Sequence, residues 1–249
     1  MSHCFEAYPN VAASLQLIKL LCILVAMIGF QIATTPPHPP PSRNESTALT
    51  PLEVVIRQRA GQITVKAICW SFALAEMAVI VASHYRHNTL SHLILSLLIL
   101  RSSPGKIRPT PLFFFGTFLT GLGGYIRHRC YKEMGTMFTF EMSIRKDHRL
   151  VTSGPYSVVR HPGYTGILCT VVGVVLWNLS AGSWATECGA LSSKLGLVLF
   201  WTYLVLASTI CGGLVSRMFK EDETLHEIFG EAWEAWTRNV PYKLVPGLY

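Results

Sequence analysis

Long apolar runs constrain this chain more than any other feature. They cover Val11 to Ala33, Ile63 to His84, Pro111 to Tyr125, Gly163 to Trp177 and Leu195 to Val215. A helix of about 20 apolar residues crosses the hydrocarbon core of a bilayer. Half of the 249 residues are hydrophobic and only 14% are charged, against about 25% in soluble domains. The fold class predicted is all-α: a polytopic membrane helical bundle of about five transmembrane helices. A sixth arises if the short apolar run Leu90 to Leu100 is half of a further span rather than re-entrant or interfacial.

The first run is read as a retained helix, because Met1 to Asn10 lacks the Lys or Arg of a signal peptide. Pro36 to Ser42 is Pro-rich and reads as an extended linker. Lys66 can snorkel at the end of the second run, whereas Glu76 lies deeper and must face protein or water. A structural hydrogen bond from Glu76 to another helix is the expected reading. Gly116, Gly121, Gly123 and Gly124 permit close helix packing in the third run. Ser180 to Ser183 is a short turn that makes the fourth and fifth runs a hairpin. Residues 1–108 read as N-terminal membrane helices with the linker, and 109–249 as the core that carries the chemistry.

The net charge is +7. No basic helix or aromatic-basic platform accompanies it, so basic loops facing anionic lipid explain it better than nucleic acid. Arg127, Arg129, Lys132, Arg145, Lys146, Arg149 and Arg160 fall in one such loop, which with the C-terminal tail is expected on the cytosolic side. None of the seven cysteines forms a C-x-x-C pair, and neither a zinc site nor a disulfide framework is indicated. Asn44 and Asn178 head sequons that are expected to go unused. The terminal Pro246-Gly-Leu-Tyr249 is not a prenylation box. No G-x-G-x-x-G follows a strand, which excludes a soluble Rossmann-type enzyme.

The densest polar cluster is His148-Arg-Leu-Val-Thr-Ser-Gly-Pro-Tyr-Ser-Val-Val-Arg-His-Pro-Gly-Tyr164, directly before the fourth run. Ionisable groups at that depth mark a functional site by default. Pro162 suits the first turn of a helix, so the N–H groups of Gly163, Tyr164 and Thr165 are expected at a positive helix end. Later come Arg217 and Glu221, four apart on one helix face, then Asp222. Phe229, Trp233 and Trp236 follow at i, i+4, i+7, read as a C-terminal amphipathic helix.

These two motifs resemble the isoprenylcysteine carboxyl methyltransferase family over about residues 110–245. The resemblance implies a multi-pass enzyme of the endoplasmic reticulum membrane whose cofactor pocket faces the cytosol. It implies S-adenosyl-L-methionine as cofactor. The partner is the C-terminal prenylated cysteine of processed CaaX proteins, in a lipid setting and without nucleic acid or metal. By the same resemblance Arg217 is the catalytic and substrate-binding residue, holding the acceptor carboxylate. Glu141, His148, Arg149, Leu150, Val151, Tyr156, His161, Pro162, Gly163, Tyr164 and Glu221 contact the cofactor. Glu141 stands where Gln is expected, and Glu221-Asp222 where two Glu are commoner. Methyl transfer to a carboxylate needs no strong base. It needs alignment, exclusion of water, and charges held together, which is what an Arg, an acid and aromatic rings supply. Three other readings stand open: a phospholipid N-methyltransferase, whose amine acceptor suits Arg217 less well, a non-catalytic membrane scaffold, and a related membrane reductase.

Overall fold

The computed structural model describes residues 9–39, 60–85, 87–100, 104–140 and 149–248. All regular structure among them is helical. The helices are α1 (Pro9–Thr34), α2 (Ala60–His84), α3 (Thr89–Leu98), α4 (Pro111–Met134), α5 (Pro162–Leu179), α6 (Trp184–Glu187), α7 (Lys194–Phe229) and α8 (Glu231–Asn239). Four helices are long and apolar enough to cross a membrane, within Ala13–Thr34, Ala60–His84, Pro162–Glu187 and Lys194–Phe229. Helix α4 has the length, with 24 residues, but carries four glycines and a charged C-terminal end. Large apolar side chains remain exposed along α1 and α7, among them Leu17, Leu21, Val25, Leu195, Val198, Trp201 and Val205. Such stripes fit a multi-pass membrane protein, where lipid supplies the missing contacts.

Several bounds differ from those read in the sequence, each for a local reason. Helix α4 runs past Tyr125 to Met134, because no breaker intervenes before Gly135, which adopts φ +55°. Arg127, Arg129 and Lys132 are therefore helical, not loop, residues. Helix α7 likewise continues past Val215 to Phe229 and stops at Gly230, with φ +49°. The expected single amphipathic helix is thus broken: Phe229 ends α7, while Trp233 and Trp236 lie on α8. The connection between α5 and α7 is longer than a turn. It contains α6, capped by the Ser183 hydroxyl accepting from the Thr186 N–H, and a 3-10 turn at Ala190–Ser192.

The chain divides into two compact units. The first comprises Met1–Ile28, Ala67–Gly121 and Val171–Leu204. Its core includes Val79, Ile80, Ile107 and Cys188, with Leu20, Leu95, Leu98, Ile99 and Trp184 packed against them. Glu76 pairs with a cation rather than with a neutral hydrogen-bond donor alone. Lys19 of α1 stands 2.5 Å from it, and both side chains are almost wholly buried. Lys19 Nζ also donates to the Gly182 carbonyl at 2.6 Å and lies 4.9 Å from the centre of the Phe113 ring. A buried charge persists only with such partners. Asn178 is buried, with its side-chain amide donating to the Val174 carbonyl at 2.9 Å.

The second unit comprises Gly29–Lys66, Leu122–Thr170 and Val205–Tyr249. Ala33, Ile167 and Leu214 form part of its core, flanked by Tyr164, Leu168 and Ile210. Here α4 and α5 meet backbone to backbone. A Cβ added at Gly123 would lie 2.3 Å from the Gly166 carbonyl oxygen, and one at Gly166 would lie 2.8 Å from that of Gly123. Thr170 donates its hydroxyl to the Gly166 carbonyl at 2.8 Å, satisfying itself within the helix.

Candidate active site

The second unit brings the two motifs together. Pro162 is the first residue of α5, as its missing N–H and fixed φ favour. His161 and Tyr164 are three apart, and their rings stack, 5.4 Å between centres and 3° from parallel. Opposite them on α7 stand Glu221 and Asp222. The Tyr164 hydroxyl donates to Glu221 Oε2 at 2.5 Å, and His161 Nε2 pairs with Asp222 Oδ1 at 2.9 Å. Two stacked rings thus engage two consecutive carboxylates.

Arg217 lies one helical turn before Glu221. Its Nε is 3.9 Å from Glu221 Oε2, and its Nη1 donates to the Phe140 carbonyl. The Arg217 side chain is 7% exposed and that of Glu221 32%. The pair is therefore not the solvated i,i+4 bridge that contributes little: its cation is buried and its anion is about a third exposed.

Tyr156 lies in the 3-10 turn Gly154–Ser157, and its hydroxyl donates to Met134 Sδ at 2.8 Å. Burial, reinforced by Cys130 and Glu221, holds its phenol well above the ordinary value, so it stays a neutral donor. Gly154 takes φ +58°, and a Cβ there would meet the Glu133 carboxylate at 2.8 Å. Leu150 and Val151 are half-buried, Gly163 is buried, and Arg149 is exposed. Glu141 and His148 lie outside the described residues. The first turn of α5 departs from the expectation of free N–H groups. Those of Tyr164 and Thr165 are spent on the His161 carbonyl, at 3.0 and 3.2 Å.

Three further groups join the site that the motifs alone do not mark. Asp222 is a hub: besides His161 it meets Arg160 Nη1 at 3.2 Å and Lys243 Nζ at 3.3 Å. Its place beside Glu221 was the available signal, but the four-residue spacing drew attention to Glu221 alone. Lys243 belongs to a C-terminal strap whose Tyr242 and Lys243 carbonyls accept from the Arg160 and His161 N–H groups, at 2.9 and 2.8 Å. The Leu244 carbonyl accepts from the Thr165 hydroxyl at 2.7 Å. Trp236 Nε1 donates to the Tyr156 carbonyl at 3.2 Å, so α8 closes over the Gly154–Ser157 turn. Arg127 is the third. It is buried on α4 and donates to the Gly163 carbonyl at 3.0 Å.

Residues 116–202 match the model of the isoprenylcysteine carboxyl methyltransferase family. The resemblance read from the motifs is thereby borne out over α4, α5 and the connection to α7. Arg217 and Glu221 lie beyond the matched residues. The chain is 23% identical over 192 residues to protein-S-isoprenylcysteine O-methyltransferase B of Arabidopsis thaliana, covering 76% of this chain and 88% of that one. It is 28% identical over 137 residues to a protein-S-isoprenylcysteine O-methyltransferase of Schizosaccharomyces pombe, covering 52% and 50%. A Delta(14)-sterol reductase of Mus musculus is 28% identical over 101 residues, 41% of this chain and 20% of that one. No solved structure matches.

Proposed function

We propose that the protein methylates the C-terminal carboxylate of S-prenylated cysteine in proteins, with S-adenosyl-L-methionine as methyl donor, at a multi-pass site of the endoplasmic reticulum membrane facing the cytosol. The observation that carries the reading is Arg217, a buried guanidinium held beside the Glu221–Tyr164 pair at the start of α5. A guanidinium fork matches a carboxylate, whereas an amine acceptor would meet repulsion. The similarity to proteins named as isoprenylcysteine methyltransferases supports the same chemistry.

The residues fit a sulfonium cofactor. Glu221 keeps one oxygen outside its bond to Tyr164 and is a third exposed, so it can face a cationic or hydroxylic ligand. The Trp233 indole N–H is buried without a hydrogen-bond partner among the described residues, as a donor awaiting an acceptor would be. When bound, S-adenosyl-L-methionine supplies a methyl group already activated on sulfur. The chain's own work is then to orient and to exclude water. Arg217 holds the acceptor carboxylate as an anion. Glu221, fixed by Tyr164, offsets positive charge beside it. Asp222 holds Arg160, His161 and Lys243, tying the start of α5 to the C-terminal strap. No residue is asked to take a proton, because a carboxylate nucleophile carries none.

The test is transfer of labelled methyl from S-adenosylmethionine to N-acetyl-S-farnesylcysteine in membranes holding the full chain. Base-labile label identifies an ester. Absence of label despite cofactor binding contradicts the reading. A reductase reading, favoured by the sterol reductase match, predicts instead oxidation of a nicotinamide donor with a sterol acceptor and no methyl transfer.

A further inference from the structure

Arg127 occupies an unusual environment. The residue is 5% exposed. Its Nε donates to the Tyr131 hydroxyl at 2.9 Å and its Nη1 to the Gly163 carbonyl at 3.0 Å. The guanidinium carbon lies 5.4, 5.3 and 4.7 Å from the ring centres of Tyr131, Phe138 and Phe140. All of these partners are neutral. Among the described residues no carboxylate lies within 4.0 Å of it.

Arginine does not deprotonate in proteins. Among the described residues a full positive charge is therefore enclosed with dipoles and ring faces but no counter-charge, and buried Arg almost always has one. The carboxylates of the site are committed elsewhere. Asp222 meets Arg160, His161 and Lys243, and Glu221 meets Tyr164 and Arg217. Among the described residues, Arg127, Arg160, Arg217 and Lys243 thus stand against Glu221 and Asp222 around the start of α5. Arg127 also sits where a reactant must come. It holds the Gly163 carbonyl, next to Tyr164, and its guanidinium faces the ring of Phe140, whose carbonyl accepts from Arg217. The α5 N–H groups of Tyr164 and Thr165, which an anion would otherwise use, are already bonded.

We infer that Arg127 is an anion-binding residue of this site and takes a carboxylate, that of the methyl donor or, together with Arg217, that of the acceptor. Two of its five donors are engaged by protein, which leaves an N–H edge for a ligand. The inference rests on the methyltransferase reading for the identity of the ligand. Two carboxylates enter that reaction: the amino-acid end of the methyl donor and the C-terminus of the acceptor. A purely structural pin holding Gly163 is the contrary account.

The experiment measures binding of four ligands to the purified full chain and to R127Q. S-adenosylhomocysteine is paired with its decarboxylated analogue, and N-acetyl-S-farnesylcysteine with its methyl ester. The inference expects the wild type to prefer the carboxylate form about tenfold or more in one pair, and R127Q to lose that preference while the other pair is unchanged. The pair affected names the source. No preference in the wild type in either pair, or wild-type preferences retained by R127Q in both pairs, overturns the inference. R127K, which keeps the charge without the fork, retains part of the preference. It carries the comparison where R127Q lacks the wild-type thermal transition, and full wild-type affinity for all four ligands in R127K then overturns it. Turnover by the wild type is scored separately, so a failure to methylate refutes the proposed activity and leaves the binding result standing.

Discussion

Replacing Gly123 by Ala tests the packing that sets the site. An added Cβ would lie 2.3 Å from the Gly166 carbonyl oxygen, 2.3 Å from Thr170 Oγ1 and 2.8 Å from the Thr170 nitrogen. Ordinary contact begins at 3.4 Å, so α5 must withdraw by about 1 Å. Two of the three atoms are backbone, which cannot rotate away. Overpacking of this kind costs about 1–3 kcal/mol, and rigid obstacles put Gly123→Ala at the upper end. Gly121→Ala, on the same helix, meets nothing within 4 Å and is the control. It should be neutral or slightly stabilising, since Ala is the better helix former by roughly 1 kcal/mol. Thermal unfolding in detergent, followed by loss of helical circular dichroism, compares the two. Arg127 lies four residues after Gly123 and bonds Gly163 on α5, so Gly123→Ala should also weaken ligand binding at 25 °C, whereas Gly121→Ala should not. Equal stability of the two variants would refute the close approach of α4 and α5.

Other expectations follow from single contacts. K19M leaves Glu76 buried without its cation and should cost about 3–5 kcal/mol, with K19L/E76L recovering most of it, because removing both charges removes the desolvation problem; detergent melts of the three chains decide. D222A strips Arg160, His161 and Lys243 of their shared acceptor and should cost about 3 kcal/mol or more; the same melts with D222N retaining part of the stability would support a hub, and an unchanged D222A would contradict it. Y164F removes a donor to a carboxylate, a bond of about 1.5–3 kcal/mol, and should raise KM for the methyl donor about tenfold with little change in the melt. Unaltered steady-state kinetics would show that Tyr164 does not position Glu221.

The helices themselves were legible because apolar runs survive any rotation about the helix axis. Pro162 marked the start of α5, and the Arg217–Glu221 spacing named a real pair. Contacts that depend on how helices face one another were not legible. Glu76 announced a need for a partner, but nothing in the sequence pointed to Lys19, one cation in an otherwise apolar helix. Arg127 reads as a loop cation because the apolar run ends at Tyr125, whereas α4 continues to Met134 and carries it inward. Asp222 lies about 100° around the helix from Glu221, so the Arg217–Glu221 spacing says nothing of its partners. Its partners come from the motif before α5 and from a strap 21 residues onward at Lys243, a convergence that only the fold creates.

The most direct test of the central claim offers membranes containing the full chain labelled S-adenosylmethionine with either N-acetyl-S-farnesylcysteine or phosphatidylethanolamine, in wild type and Arg217→Ala. The account predicts base-labile label on the farnesylcysteine alone, falling about 100-fold or more in the variant as a charge-assisted anchor is lost. Base-stable label on the phospholipid, or farnesylcysteine methylation that survives Arg217→Ala, would contradict it.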